Sequence, residues 1–174
     1  MSQAQSPTPR FAARVLAVQA LYQTHVRGEV RADSTIKEFL GAAQSDRLEA
    51  IGAKSFDQAL FSQMVTGAFG ESDQLDDMIL GVLSSKWQLD RLDPVLLALL
   101  HAAAFELGQA DVRSPKKILS QYVQIAEGFF DGKEPGLVNA TLDALARALH
   151  PDAFDGVRDG ALDGTLGGTL DGGT

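Results

Sequence analysis

The chain has 174 residues, a formal net charge of -8, 45% hydrophobic and 22% charged residues, and no cysteine. This is the composition of a soluble globular protein long enough to bury a core without staples. Without cysteine there can be no disulfide, thiolate metal site or catalytic thiol, and the net charge argues against a simple DNA-coating protein. The charge is unevenly spread. Arg10, Arg14, Arg27 and Arg31 stand against Glu29 near the start, whereas Asp152, Asp155, Asp159, Asp163 and Asp171 face only Arg158 near the end. A locally basic end on an acidic protein suits a small RNA footprint.

The opening residues are polar and contain prolines, with no apolar run of signal-peptide type, so residues 1–9 read as a flexible N-terminus. The first helix runs from Arg10 to about Val26. Thr8 caps it, Pro9 takes the first helical position and Gly28 stops it. Phe11, Val15, Val18, Tyr22 and Val26 recur at helical spacing and predict the buried face. A second helix starts at Ser34 with Ile36, Phe39 and Leu40, and a polar stretch follows. A third runs from about Ser55 to Gly70, and a fourth from about Asp73 to Lys86, carrying Val82 and Leu83.

Trp87 to Arg91 reads as a connector, with Trp87 an anchor between the two halves. Asp93-Pro94 then begins a helix that is apolar on nearly every side from Val95 to Phe105, which places it at the centre of a bundle. Ser114-Pro115 repeats the cap-then-proline start for a helix ending near Phe130. A turn-rich loop over 131–136 precedes the last helix, with Leu137, Val138, Leu142, Leu145 and Leu149. After Pro151 a Gly/Asp/Leu/Thr repeat takes over. Its isolated leucines bury too little to offset the entropy of its glycines, so 151–174 reads as a disordered, dispensable tail. The expectation is an all-α fold of about seven helices, in subdomains over 10–86 and 92–150.

Patterns for known chemistry are missing. His25, His101 and His150 lack metal-ligand spacing, and His101 reads as a boundary histidine with one hydrogen-bond partner. The Gly128–Glu134 stretch has one residue too few between its glycines for a phosphate loop, and no strand precedes it. Asp76 and Asp77 are adjacent on a helix, point apart and form a solvated face.

Three stretches carry a resemblance. Arg10 to Gln23 contains Ala17-Val18-Gln19-Ala20-Leu21-Tyr22. Trp87 through Arg91-Leu92 leads to Phe105-Glu106-Leu107. Pro115-Lys116-Lys117 leads to Tyr122-Val123-Gln124-Ile125-Ala126 and then Val138-Asn139-Ala140-Thr141-Leu142-Asp143. In order and spacing these resemble the bacterial transcription antitermination factor NusB family over most of residues 10–147. The resemblance implies a bundle of two packed helical subdomains and a cytoplasmic, non-enzymatic factor of the transcription elongation complex that needs no cofactor. It implies two partners: single-stranded boxA-type RNA, and the small-subunit ribosomal protein that doubles as NusE. Arg10 and Arg14 would hold phosphates, Gln19 a base edge and Tyr22 a base face, with Lys117 and Lys133 as further cations.

The chain departs from the family pattern in having Phe11, Ala12 and Ala13 where arginines are common. It has Leu96-Leu97 and His101 in the central helix, and Ser120-Gln121 for Asn-Glu. Fewer cations mean fewer phosphate contacts and weaker binding. The alternatives are a protein-binding scaffold without RNA affinity, or an RNA-modifying enzyme, since a NusB-like domain also stands at the front of certain ribosomal RNA cytosine methyltransferases. The latter would need a further domain and a cysteine.

Overall fold

The computed structural model describes residues 5–29, 31–109 and 114–155, and these are all-helical, with no strand among them. The helices are α1 (Pro9–Arg27), α2 (Asp33–Leu40), α3 (Gln44–Ala50), α4 (Gln58–Gly70), α5 (Ser72–Leu80), α6 (Pro94–Gln109), α7 (Pro115–Phe129), α8 (Glu134–Leu149) and α9 (Asp152–Asp155). A 3-10 turn at Leu89–Arg91 lies in the connector before α6.

The helix boundaries follow local chemistry. The Thr8 hydroxyl accepts from the Phe11 N–H at 3.2 Å, Asp57 Oδ1 from Leu60 N–H at 3.0 Å, and Asp93 Oδ1 from Val95 N–H at 2.8 Å. Gly28 closes α1 at φ 62°, a left-handed conformation that glycine adopts without a side-chain clash.

The all-apolar helix is central, as its composition requires. α6 touches α1, α4 and α5 on one side and α7 and α8 on the other. Leu99, Leu100, Ala102, Ala103, Ala104 and Leu107 have no exposed surface. One continuous core cluster links α1 through α8, and Trp87 is half-buried against it.

The structure corrects the sequence reading in four places. The stretch before Ser55 contains α3, a seven-residue helix with only Leu48 buried, too short to show a periodicity. α5 stops at Leu80 rather than near Lys86: Gly81 interrupts it, and the Leu83 N–H turns back to the Ile79 carbonyl at 2.8 Å. The tail does not begin at Pro151, because α9 lays Phe154 against the core, with Arg147 Cζ 4.7 Å and Lys116 Nζ 5.2 Å from its ring centroid. The remainder of that tail, 156–174, lies outside the described residues.

The fourth correction concerns α1. Of the predicted apolar face only Val18 is fully buried; Tyr22 is 37% and Val26 59% exposed, and Phe11 and Val15 are only half-buried. The helix buries instead Ala12, Ala13, Leu16, Ala17, Ala20 and Leu21. Small residues let α4 and α6 approach the α1 backbone closely, so almost its whole circumference is covered.

Candidate nucleic-acid interface

The covering of α1 carries Arg14 into the interior. It is 5% exposed and Glu106, on α6, is 7% exposed. Arg14 Nε lies 2.9 Å from both Glu106 carboxylate oxygens, and Nη2 donates to Oε1 at 2.5 Å. The other Glu106 oxygen accepts from the hydroxyl of Tyr122, on α7, at 2.7 Å. Arg14 Nη1 donates to the side-chain oxygen of Gln121, one residue earlier on α7. A single carboxylate thus ties α1, α6 and α7 together.

Electrostatics here follow from burial. For the Arg14 guanidinium burial works against the charge, but hydrogen bonding to Glu106 and its negative charge outweigh that and hold the group above its ordinary value. Tyr122 is pushed well above the usual phenol range, first by complete burial and then by the neighbouring carboxylate, so it stays a neutral donor.

Directly over this network is a groove of about 370 Å³ between α1, α4, α6 and α7. Arg10 and Lys117 stand on its wall, both exposed, and neither has a carboxylate partner among the described residues. Leu60, Met64, Phe105 and Ile118 give it an apolar lining. Gln63, Gln109 and Gln121 contribute side-chain amides. Cations at the edge, an apolar interior and amide groups together suit a nucleotide: phosphate outside, base inside.

Of the residues expected from sequence, the structure brings Arg10, Arg14 and Lys117 to this groove. Arg14 is the correction: rather than sharing an open face with Arg10, its guanidinium is consumed by Glu106 and Gln121 beneath the surface. Gln19 and Tyr22 lie on the outer stripe of α1, Tyr22 about 120° around the helix from Arg10, and neither lines the groove. Lys133 is exposed at the N-cap of α8, also apart from it. Sequence reasoning missed Gln121 and Glu106. The only signal for Glu106 was a lone acidic residue inside the apolar α6, where an unpaired carboxylate would be costly.

A second concavity lies where α5, the connector and α6 meet. Leu80, 54% exposed, with Trp87, Leu89 and Leu97 forms an apolar cleft flanked by Asp76 and Asp90. Asp76 is not simply solvated: its Oδ1 is 2.6 Å from His101 Nε2. His150 Nε2 sits 2.7 Å from the Leu107 carbonyl. Among the described residues no group of three or more His, Asp or Glu could hold a metal, and no helix is long and apolar enough to cross a membrane.

Comparisons of the sequence and of the fold with known proteins agree with one another. The NusB family profile matches residues 12–147. Transcription antitermination protein NusB of Granulibacter bethesdensis is 42% identical over 155 residues, 86% of this chain and 94% of that protein. NusB of Rhodospirillum rubrum is 38% identical, covering 83% of this chain and 86% of that protein. NusB of Caulobacter vibrioides is 40% identical, covering 80% and 93%. A solved structure of T. maritima NusB superposes with a TM-score of 0.64 at 24% identity, over 85% of this chain and 98% of that one, and so supports the fold. The chain belongs to the NusB family of transcription antitermination proteins.

Proposed function

We propose that this protein binds single-stranded boxA-type RNA together with the ribosomal protein that serves as NusE. It would act as a non-enzymatic, cytoplasmic component of the transcription elongation complex that supports ribosomal RNA synthesis. The observation that carries the RNA half is the meeting of Arg10 and Lys117, without a carboxylate partner among the described residues, on one groove in a chain of net charge -8. Arg14 contributes as a positioning residue, holding α7 and its Lys117 against α1. Gln19 and Tyr22 extend the surface along α1, and Lys133 offers a phosphate contact outside the groove. The protein half draws support from the Leu80–Trp87–Leu89 cleft, whose flanking aspartates complement a basic partner such as a ribosomal protein.

The test is the salt dependence of RNA binding by the full chain with its ribosomal partner. Each neutralised phosphate contributes about 0.7 to the log–log salt slope on a single strand. Replacing both Arg10 and Lys117 by alanine should flatten the slope by roughly 1.4 and weaken all sequences similarly. An unaltered slope in a folded double variant refutes the groove as the RNA surface. The half-exposed stripe of Phe11, Val15, Tyr22 and Val26 would then favour a protein-binding scaffold.

A further inference from the structure

We propose that the α1–α4–α6–α7 groove is a pocket for one unstacked nucleobase, and that Gln121 selects a base presenting a carbonyl, uracil or guanine, over one presenting an amine. The proposal rests on the RNA-binding reading above and deepens it.

Gln121 carries the argument. A side-chain amide ordinarily turns either end to its neighbours, and a base can then be read as donor or acceptor. Here that freedom is gone. Arg14 has only donors to offer, so the Gln121 atom facing it must be the oxygen. The guanidinium cannot swing away, because Glu106 holds its Nε and Nη2. Turning the amide over would set NH2 against a guanidinium, donor against donor.

The other end of the amide, its NH2, is therefore fixed away from Arg14, and Gln121 lines the groove. It has no hydrogen-bond partner among the described residues, and it is not among the atoms buried without one. The result is a pre-oriented donor on the groove wall, beside the apolar floor of Leu60, Met64, Phe105 and Ile118; Gln63 and Gln109 also line the groove.

The cavity suits the ligand. At about 370 Å³ it is at the small end of ligand pockets, which span roughly 300–1,000 Å³. Met64, Phe105 and Ile118 are each at most 7% exposed, so the floor is built rather than incidental. With Arg10 and Lys117 taking the flanking phosphates, the base must enter edge first. Uracil O4 and guanine O6 accept from the Gln121 amide. Cytosine N4 and adenine N6 would bring a second donor to it, so that donor meets donor where uracil and guanine form a hydrogen bond.

The cleanest comparison is uracil against cytosine, which match in size. The experiment measures binding of short oligouridylate and oligocytidylate by the full chain with its ribosomal partner, at one fixed salt concentration. The wild type should favour oligouridylate by roughly two- to tenfold, the worth of a single hydrogen bond. Gln121→Glu offers only acceptors and should reverse the preference, and Gln121→Leu should erase it, with melting curves confirming that each is folded. A uridylate oligomer carrying pyrimidin-2-one, which lacks O4, should lose the advantage on the wild type alone, independently of any variant's folding.

Equal binding of both oligomers, with a salt slope that still depends on Arg10 and Lys117, would overturn the base pocket and leave the RNA surface standing. A uridylate preference that survives in folded Gln121 variants, or in the O4-lacking oligomer, would overturn the role of Gln121. Failure of any oligomer to bind would overturn both readings together.

Discussion

Removing the charge of Glu106 while keeping its shape, in Glu106→Gln, should be among the most destabilising single-atom changes available in this protein. Arg14 is 5% exposed and donates three of its hydrogen bonds to that carboxylate. The variant leaves a guanidinium in the interior with only neutral acceptors. Breaking one side of a buried pair costs about 3–5 kcal/mol, because the remaining charge stays desolvated. For a chain of this size that is a loss of roughly 6–20 °C in melting temperature. The control is Arg14→Met combined with Glu106→Gln, which removes both charges. Neutral replacement of a buried pair is often close to harmless, so the double variant should recover about 2 kcal/mol or more relative to the sum of the singles. Urea unfolding of the four proteins reads the coupling directly. If the singles each lose less than about 1 kcal/mol, the pair behaves like one on the surface and the buried-network argument fails.

Two other changes probe the same region. A Cβ at Gly67 would lie 2.1 Å from the ring tip of Phe105, so Gly67→Ala must push that ring from its place between α4 and α6. The cost should be about 1–3 kcal/mol, with weakened RNA binding because Phe105 also lines the groove, and melting with affinity on one preparation checks both. Tyr122→Phe deletes the hydroxyl that donates to Glu106 at 2.7 Å and should cost about 1.5–3 kcal/mol at neutral pH. Because the folded state holds this phenol protonated well above its ordinary value, its contribution is complete below about pH 10 and falls as pH rises beyond it, where the unfolded chain's tyrosine ionises first. The wild-type advantage over the variant should therefore shrink on going from about pH 8 to above pH 10; an advantage that grows would refute the assignment.

The fold was legible where a local rule acts alone. Thr8-Pro9 and Asp93-Pro94 announce helix starts because a cap and a proline need nothing beyond their neighbours. The Val95–Phe105 run announces a central helix because no surface position could accept it. α3 and the end of α5 were not legible. In a helix with one buried residue, contacts with α2 decide the outcome, and periodicity has nothing to show.

The site shows why the rest was hidden. Arg10 and Arg14 are the same residue type four positions apart on one helix, and by sequence they are equivalent. Arg10 stands on the groove wall and Arg14 lies under it, and what separates them is a carboxylate 92 residues away that one of them can reach. The α1 stripe was misread for a related reason. Valine and phenylalanine outweigh alanine in any tally of hydrophobicity, yet where α1 packs closely Ala12, Ala13, Ala17 and Ala20 share the interior with Leu16, Val18 and Leu21, while Phe11, Val15, Tyr22 and Val26 are left at the edge. The same constraint that moves Val26 and Tyr22 outward moves Arg14 inward. Once inside, a guanidinium needs a carboxylate, and its remaining donor needs an oxygen. Gln121 supplies that oxygen and so presents its nitrogen to the groove. The orientation of the proposed base-reading group is thus a consequence of how α1 packs, which no motif around Gln121 could have disclosed.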